Sequence, residues 1–230
     1  MALVLIFTAP VLAYDPGLDR PITQAKQVLN EIMASPDQSI PEELLAKCRA
    51  LVIYPSLIKG GFIFGGRYGK GVVLKHDKKT GAWGPVAYST IAGVSFGFQI
   101  GIQATDLVLV IMNNKGLEGL LSSKLTLGAD AALSVGPVGR TTEIATDLSL
   151  RAGILAYSRS RGLFGGLALN GAIVVPDNGS NSAYYGKAVT SKEILLNNGV
   201  EIQPSSKELI ESLNDYSERW QKRAKFLPKS

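Results

Sequence analysis

The sequence predicts an α+β fold in which a curved or partly closed, mostly antiparallel, glycine-rich β-sheet is flanked by N- and C-terminal helices. The first observation is a period-two alternation over residues 95–113, with apolar side chains on one face and glycine or glutamine on the other. The second is the same glycine spacing in two further segments, which favours curvature or close approach of another layer. The third is helical spacing of apolar residues at both ends of the chain.

Each element follows from its local pattern. Helices are predicted over residues 22–33 and after three capping boxes, formed by Ser39 with Glu42, Thr190 with Glu193, and Ser205 with Glu208. Pro55 is predicted to end the first strand. Short turns favour antiparallel pairing of the strands. The strands are predicted at residues 50–54, 59–75 with a break or bulge around Gly65 and Gly66, 95–113, 125–135, 140–158 and 163–175.

Composition limits the class of protein and of partner. Hydrophobic residues make up 46%, and 25 glycines with only 19% charged residues are typical of a glycine-rich β architecture. The 24 Lys+Arg exceed the 19 Asp+Glu and give a net charge of +5. This excess favours an anionic partner and leaves polyphosphate, anionic lipid and nucleic acid open.

Residues suited to catalysis are few. Cys48 is the only cysteine and His76 the only histidine, so an intramolecular disulfide and a multi-cysteine metal site are excluded. A nucleophilic triad or a Cys–His pair would need each of them in a role that its sequence surroundings disfavour. Cys48 lies in an apolar helical pattern and is predicted to be a buried thiol, whereas His76 is predicted to lie in a solvated turn. An acid pair that includes Asp106 or Asp147 is the weaker alternative, since Asp106 is expected to bond to backbone. The protein is predicted not to be an enzyme and to need no metal or cofactor.

Residues 1–13 are predicted to be an export signal, truncated or degenerate because a positive n-region is missing. The apolar stretch is too short to span a bilayer. Residues 14–230 are then predicted to form a single domain that is periplasmic or secreted and peripheral to a membrane.

Basic side chains near the glycine-rich strands are the candidate binding residues. Lys59, Arg67 and Lys70 gather on the second strand, and Arg159 and Arg161 flank a later turn. Basic groups beside apolar ones suit an anionic membrane surface, although an ordinary soluble surface would show the same residues. A phosphate loop is disfavoured because the glycines lack the Gly-Lys-Ser/Thr ending, and nucleic acid because the cations form no stripe with aromatic residues.

A family resemblance adds to this interpretation. The stretch YSRSRGLFGG at residues 157–166, with Leu169-Asn170-Gly171 and the YYG of residues 184–186, resembles the SYLF family, also called the Las17-binding or yeast actin-binding domain family. The resemblance covers roughly residues 24–198. It implies a module that recognises anionic phospholipids, and some yeast members bind and bundle actin.

The chain carries no SH3 or FYVE pattern and is similar to stand-alone bacterial members, so actin is expected to be an unlikely partner. The expected function is non-enzymatic binding of an anionic phospholipid membrane surface through Lys59, Arg67, Lys70, Arg159 and Arg161. The alternative is an envelope protein-protein interaction or assembly module.

Overall fold

The computed structural model describes residues 16–35, 39–62, 64–96, 101–136, 153–160, 163–164, 169–197 and 199–226. In these ranges the helices are α1 (Asp19–Met33), α2 (Glu42–Lys47), α3 (Asn114–Leu121), α4 (Asn178–Tyr185), α5 (Ser191–Asn197) and α6 (Lys207–Ala224). The strands are β1 (Ala50–Phe62), β2 (Phe64–Lys75), β3 (Ala87–Phe96), β4 (Gly101–Ile111), β5 (Leu125–Thr126), β6 (Leu133–Val135), β7 (Ile154–Ser160), β8 (Leu163–Phe164) and β9 (Ile173–Pro176).

The strands form one curled sheet in the order β5, β9, β3, β2, β1, β4, β7, β6, with β8 paired to β7. Among the described strands only β6 and β7 pair in parallel. The predicted α+β fold, with a curved and mostly antiparallel sheet between N- and C-terminal helices, is confirmed. β3 and β4 follow each other in the chain but are separated in the sheet by β2 and β1.

Helices cover the centre of the sheet on both faces. The first face packs against α1, α2 and α6, and the second face packs against α3 and α5. Both faces of the central strands are therefore buried, which explains why residues 51–54 and 107–111 are continuous apolar runs rather than alternating ones. The buried sheet residues of the first face include Leu51, Ile53, Val72, Leu74, Tyr88, Val108, Val110, Leu155 and Tyr157. Those of the second face include Val52, Tyr54, Leu57, Val73, Ile91, Leu107, Leu109, Ile111 and Ile154.

β1 continues through Pro55, so the prediction that this proline ends the strand is wrong. The register shifts between Ile53 and Ile58, where β1 has one residue more than its neighbours, as in a β-bulge. A bulge tolerates proline because the ladder is already interrupted there. Ser56 takes a positive φ of 56°, and its backbone N–H donates a hydrogen bond of 3.0 Å to Oδ1 of Asp106. The expected bond between Asp106 and backbone is confirmed.

Two segments predicted as single strands are pairs of strands. Residues 59–75 contain the end of β1 and all of β2, so the segment is broken between Phe62 and Phe64. Gly65 and Gly66 lie just after the break and pair with Gly61 and Gly60, so they do not form a bulge. Residues 95–113 contain the end of β3 and all of β4, and residues 97–100 lie outside the described ranges. Alternation can keep its parity across a reversal, so periodicity alone did not reveal these turns.

Glycines with positive φ interrupt two later predicted strands. Gly128, with a φ of 85°, separates β5 from β6 within residues 125–135. Gly171, with a φ of 79°, precedes β9 within residues 163–175. Such backbone favours glycine and ends a strand. Of residues 140–158, only 153–158 are described, and they lead into or belong to β7.

Of the three predicted capping boxes, the one at the start of α5 is confirmed. The backbone N–H of Glu193 donates to Oγ1 of Thr190, and the backbone N–H of Thr190 donates to Oε2 of Glu193. The boxes predicted at Ser39 and Ser205 do not form. Pro41 is the N-cap of α2, and its side chain makes no capping hydrogen bond. Ser205 bonds instead to the hydroxyl of Tyr184. Tertiary contacts therefore replace local caps at these helix starts.

His76 is buried, which corrects the prediction of a solvated turn residue. Its ring stacks on Trp83 with the centroids 4.8 Å apart. Its Nδ1 lies 3.3 Å from the carbonyl oxygen of Cys48, and its Nε2 lies 3.1 Å from that of Gly81. Burial is the main cause that lowers the pKa of His76. Cys48 is buried as predicted, so the β2–β3 connection docks on the junction between α2 and β1.

Residues 1–13, the predicted export signal, lie outside the described ranges. Within those ranges, no helix has both the length and the apolar character needed to cross a bilayer.

Replacement of Gly71 by alanine is expected to lower the free energy of unfolding by about 1–3 kcal/mol, as overpacking does. The added Cβ would lie 2.3 Å from the carbonyl oxygen of Ile53 and 2.5 Å from the ring of Tyr54. Urea denaturation measures the loss. Gly66→Ala, on the same strand, is the control, because its nearest atom would be 4.0 Å away. That variant should be neutral or gain up to about 1 kcal/mol, and equal losses in both would contradict the tight packing at Gly71.

The free energy of unfolding is expected to fall as the pH decreases from about 7.5 to about 5.5. The unfolded histidine has a pKa of about 6.5, while burial holds the pKa of folded His76 lower. The unfolded chain therefore takes up a proton first, and stability is lost with falling pH. Since His76 is the only histidine, urea denaturation of His76→Gln should show a flatter pH dependence. An unchanged dependence would show that His76 is not its source.

Candidate functional site at the open end of the sheet

In the part of the chain that the structure describes, the helices leave one end of the first face uncovered. Four adjacent strands contribute to this area, which we call the open apolar patch; its inner row is Ala92, Tyr68, Ile58 and Ala104, and its outer row is Val94, Gly66, Gly60 and Ile102. Ile58 and Tyr68 are each 51% exposed, Val94 is 72% exposed and Ile102 is 81% exposed. The glycines of the outer row leave the large side chains standing above a flat strip of backbone.

A polar row lies between the open apolar patch and the buried core of the same face. In this row Lys70 faces Thr90, and Asp106 faces Arg159. Two of the predicted binding residues, Lys70 and Arg159, therefore border the exposed apolar area from different strands.

Both cations make ion pairs with acids from other elements. Nζ of Lys70 lies 3.7 Å from Oδ2 of Asp177, which caps the start of α4. Arg159 pairs with Glu31 in the last turn of α1. Hydrogen bonds to Glu31 from Gln27 and then from Arg159 lower the pKa of that carboxyl group. The pairs fasten α1 and α4 to the inner edge of the exposed area.

The other predicted cations lie on the second face. Lys59 faces Arg67 and Gln103 across the strands and is only partly covered. Arg67 is buried, and burial lowers the pKa of its guanidinium group. Its side chain packs beside Gly93, where an added Cβ would lie 3.4 Å from Cδ of Arg67. The expectation of Arg67 as a surface cation is therefore corrected, because its side chain fills space that glycine leaves open. Arg161 lies outside the described ranges.

The residues considered for catalysis do not converge in the described part of the chain. Asp106 accepts the hydrogen bond of the bulge, and Asp147 lies outside the described ranges. Over those ranges, no cluster of three or more His, Cys, Asp or Glu residues could hold a metal ion. The arrangement at the open end offers contact chemistry: apolar area, cations and hydrogen-bond donors.

A separate cleft of about 320 Å³ lies at the opposite end of β2. Its lining is mixed. Lys75 comes from the end of β2 and Asp77 from the β2–β3 connection, and the apolar residues Leu195, Val200 and Ile202 come from α5 and the segment after it. It is distinct from the open apolar patch.

The family comparison decides the class of the protein. A family model described as "Ysc84: Las17-binding protein actin regulator" matches residues 92–216, more than half of the chain. The chain belongs to the Ysc84 family. The resemblance to the SYLF or Las17-binding family is thereby confirmed, and this is a family of binding and regulatory proteins.

Curated relatives of this Ysc84-family chain match most of its length. SH3 domain-containing YSC84-like protein 1 of Rattus norvegicus is 35% identical over 188 residues, which are 81% of this chain and 54% of that protein. The Homo sapiens protein of the same name is 34% identical with the same coverage. LAS seventeen-binding protein 3 of Saccharomyces cerevisiae is 34% identical over 162 residues, 69% of this chain and 35% of that protein. The chain thus spans about half of the mammalian proteins and a third of the yeast protein.

These findings correct the expectation that actin is an unlikely partner. That expectation depended on missing SH3 and FYVE patterns and on an apparent export signal. The family is described as actin regulators, and a relative is named for binding to LAS seventeen. The match covers the domain shared with those proteins, so actin regulation is not set aside.

Sequence reasoning found cations at the open end but missed the open apolar patch. Its signal was present, since Ile58 and Tyr68 alternate with cations and lie beside glycines. The sequence of the strands does not show which part of their apolar face the helices will cover.

Proposed function

We propose that this Ysc84-family protein is a non-enzymatic module that binds anionic phospholipid at a membrane surface. The observation that supports the proposal best is the placement of Lys70 and Arg159 along one border of an exposed apolar area. Lys59 adds a third cation at the same end of the sheet, on the opposite face. Each Lys or Arg close to an anionic membrane contributes about 1 kcal/mol.

The ion pairs at this border leave room for exchange of partners. The side chain of Lys70 is 56% exposed and that of Asp177 is 21% exposed, with 3.7 Å between the charged atoms. Exposed pairs of this kind contribute about 0–1 kcal/mol. Several lipid phosphates can therefore compete with one carboxylate for Lys70.

We propose that this activity lies in the periplasm or outside the cell, peripheral to a membrane, where the export signal predicted over residues 1–13 would direct the chain. Cell fractionation and N-terminal sequencing test the placement. An uncleaved protein in the cytoplasmic fraction would contradict it.

Charge reversal at Lys59 and Lys70 is expected to weaken binding to phosphatidylglycerol-containing vesicles at least about tenfold, because two attractive contacts become repulsive. Vesicle co-sedimentation measures the change, and wild-type binding should fall as salt is raised. Phosphatidylcholine vesicles should bind little protein.

The matched control is the double variant Lys79→Glu and Lys192→Glu, which has the same net charge. Both lysines are exposed and lie away from the open end. Equal loss in the two double variants would show that net charge alone sets the affinity. Equal binding of the wild type to neutral and anionic vesicles would overturn the proposed function.

The second candidate is a protein-interaction module in an actin-regulating assembly. The family description and the name of the yeast relative support it. Those relatives are longer than the region matched, so this chain would carry only the part of the activity that belongs to the shared domain.

Co-sedimentation with actin filaments tests the second candidate directly. If the shared domain carries the contact, the purified chain should pellet with filaments and saturate with increasing filament concentration. Protein that stays in the supernatant with filaments, while binding anionic vesicles, would favour the lipid function alone.

A further inference from the structure

We propose that the open apolar patch is a membrane-inserting surface, with Ile58, Tyr68, Val94 and Ile102 entering the boundary between headgroups and acyl chains. This inference rests on the proposed lipid function and adds the surface and the orientation with which the protein meets the bilayer.

The exposed area is continuous rather than scattered. Ile58 and Tyr68 face each other across β1 and β2, and Val94 and Ile102 lie one row farther out on the flanking strands. Monomeric proteins rarely leave large contiguous apolar areas in water, and such areas mark contact sites. Farther inward on this face, the apolar residues are buried beneath helices, so the exposure begins where the helical cover stops.

The order of rows fits a membrane interface. Both rows of the open apolar patch are apolar, and the polar row next to them, toward the buried core, carries Lys70 and Arg159. A surface that dips into a bilayer places apolar side chains deepest and cations at the level of lipid phosphates. Tyr68, in the inner apolar row, has an aromatic ring with a polar end, which is the type of residue favoured at this depth.

Charge favours anionic lipid over a second copy of the chain. The border cations are complementary to lipid phosphate, whereas a second copy would bring the same cations and a net charge of +5. The acid in the border row, Asp106, is occupied by the Ser56 amide. A bilayer therefore supplies an apolar partner for the patch and phosphates that compete with Asp177 and Glu31 for the border cations.

A fluorophore at the patch reports insertion. Ile102→Cys, labelled with a dye sensitive to polarity, should shift its emission to shorter wavelength on phosphatidylcholine vesicles that contain phosphatidylglycerol. Lipids with a quencher at a shallow acyl position should reduce that emission. The native Cys48 is buried, and burial raises its thiol pKa to about 12, so the introduced cysteine reacts preferentially. The same dye at Ala82→Cys, an exposed position at the other end of β2, should not shift.

A triple variant tests the energetic role of the patch. Ile58→Ser, Val94→Ser and Ile102→Ser together should weaken binding to the anionic vesicles at least about tenfold, since three apolar side chains no longer leave water. The control triple, Leu196→Ser, Ile202→Ser and Phe226→Ser, removes exposed apolar residues elsewhere and should bind like the wild type. All six residues are exposed, so both variants should keep the wild-type melting temperature.

The outcomes separate this inference from the proposed function. Absence of anionic-vesicle binding by the wild type would overturn both. Salt-sensitive binding that is unchanged in the patch triple, with no shift at Ile102→Cys, would overturn insertion and leave electrostatic binding standing.

A shift of the dye emission that appears without vesicles as protein concentration rises would assign the patch to a second copy. A shift on actin filaments but not on vesicles would assign it to a protein partner, and a dye already shielded in the free full-length chain would assign it to an intramolecular cover. Each of these last three results would overturn the membrane assignment.

Discussion

The hydrogen bond from the Ser56 amide to the Asp106 carboxylate holds the bulge on which the layout of the sheet depends. Faces of a strand alternate with a period of two, so one extra residue exchanges the faces of everything beyond it. With the bulge in place, the side chains of Tyr54 and Leu57 are both buried on the second face. The side chain of Ile58 then lies on the first face beside Tyr68. Without it, the apolar and basic residues at the end of β1 would change sides.

Glycine then decides how closely the strands and their layers approach. Gly71 leaves the space that the backbone of Ile53 and the ring of Tyr54 occupy, and Gly93 leaves space for the stem of Arg67. At the centre of the sheet this close packing supports cores on both faces. At the open end the helices stop while the strands continue, so the pattern that builds a core elsewhere leaves an exposed surface. The same alternating strands thus form the buried scaffold and the open apolar patch.

The charged border shows why the site was only partly predictable. Lys70 and Arg159 could be proposed from their neighbours in the sequence, because basic and apolar residues alternate there. Their ion-pair partners could not, since Asp177 and Glu31 reach the sheet from the start of α4 and from α1. Arg67 has the same local pattern as Lys70, yet the opposite face buries it. Their odd and even positions in β2 place the two side chains on opposite faces, but the sequence does not show which face is covered.

The sequence by itself determined the class of fold, the burial of Cys48, the helices near both ends and the family, because period, composition and ordered motifs are local properties. It did not determine where strands reverse when parity is kept, nor that β1 passes through Pro55. Tertiary structure decided those points, together with the burial of His76 against Trp83 and the extent of the open apolar patch. The physical reason is that these features depend on contacts with distant parts of the chain. The alternation of apolar and polar residues along a strand does not show which distant element will pack on it.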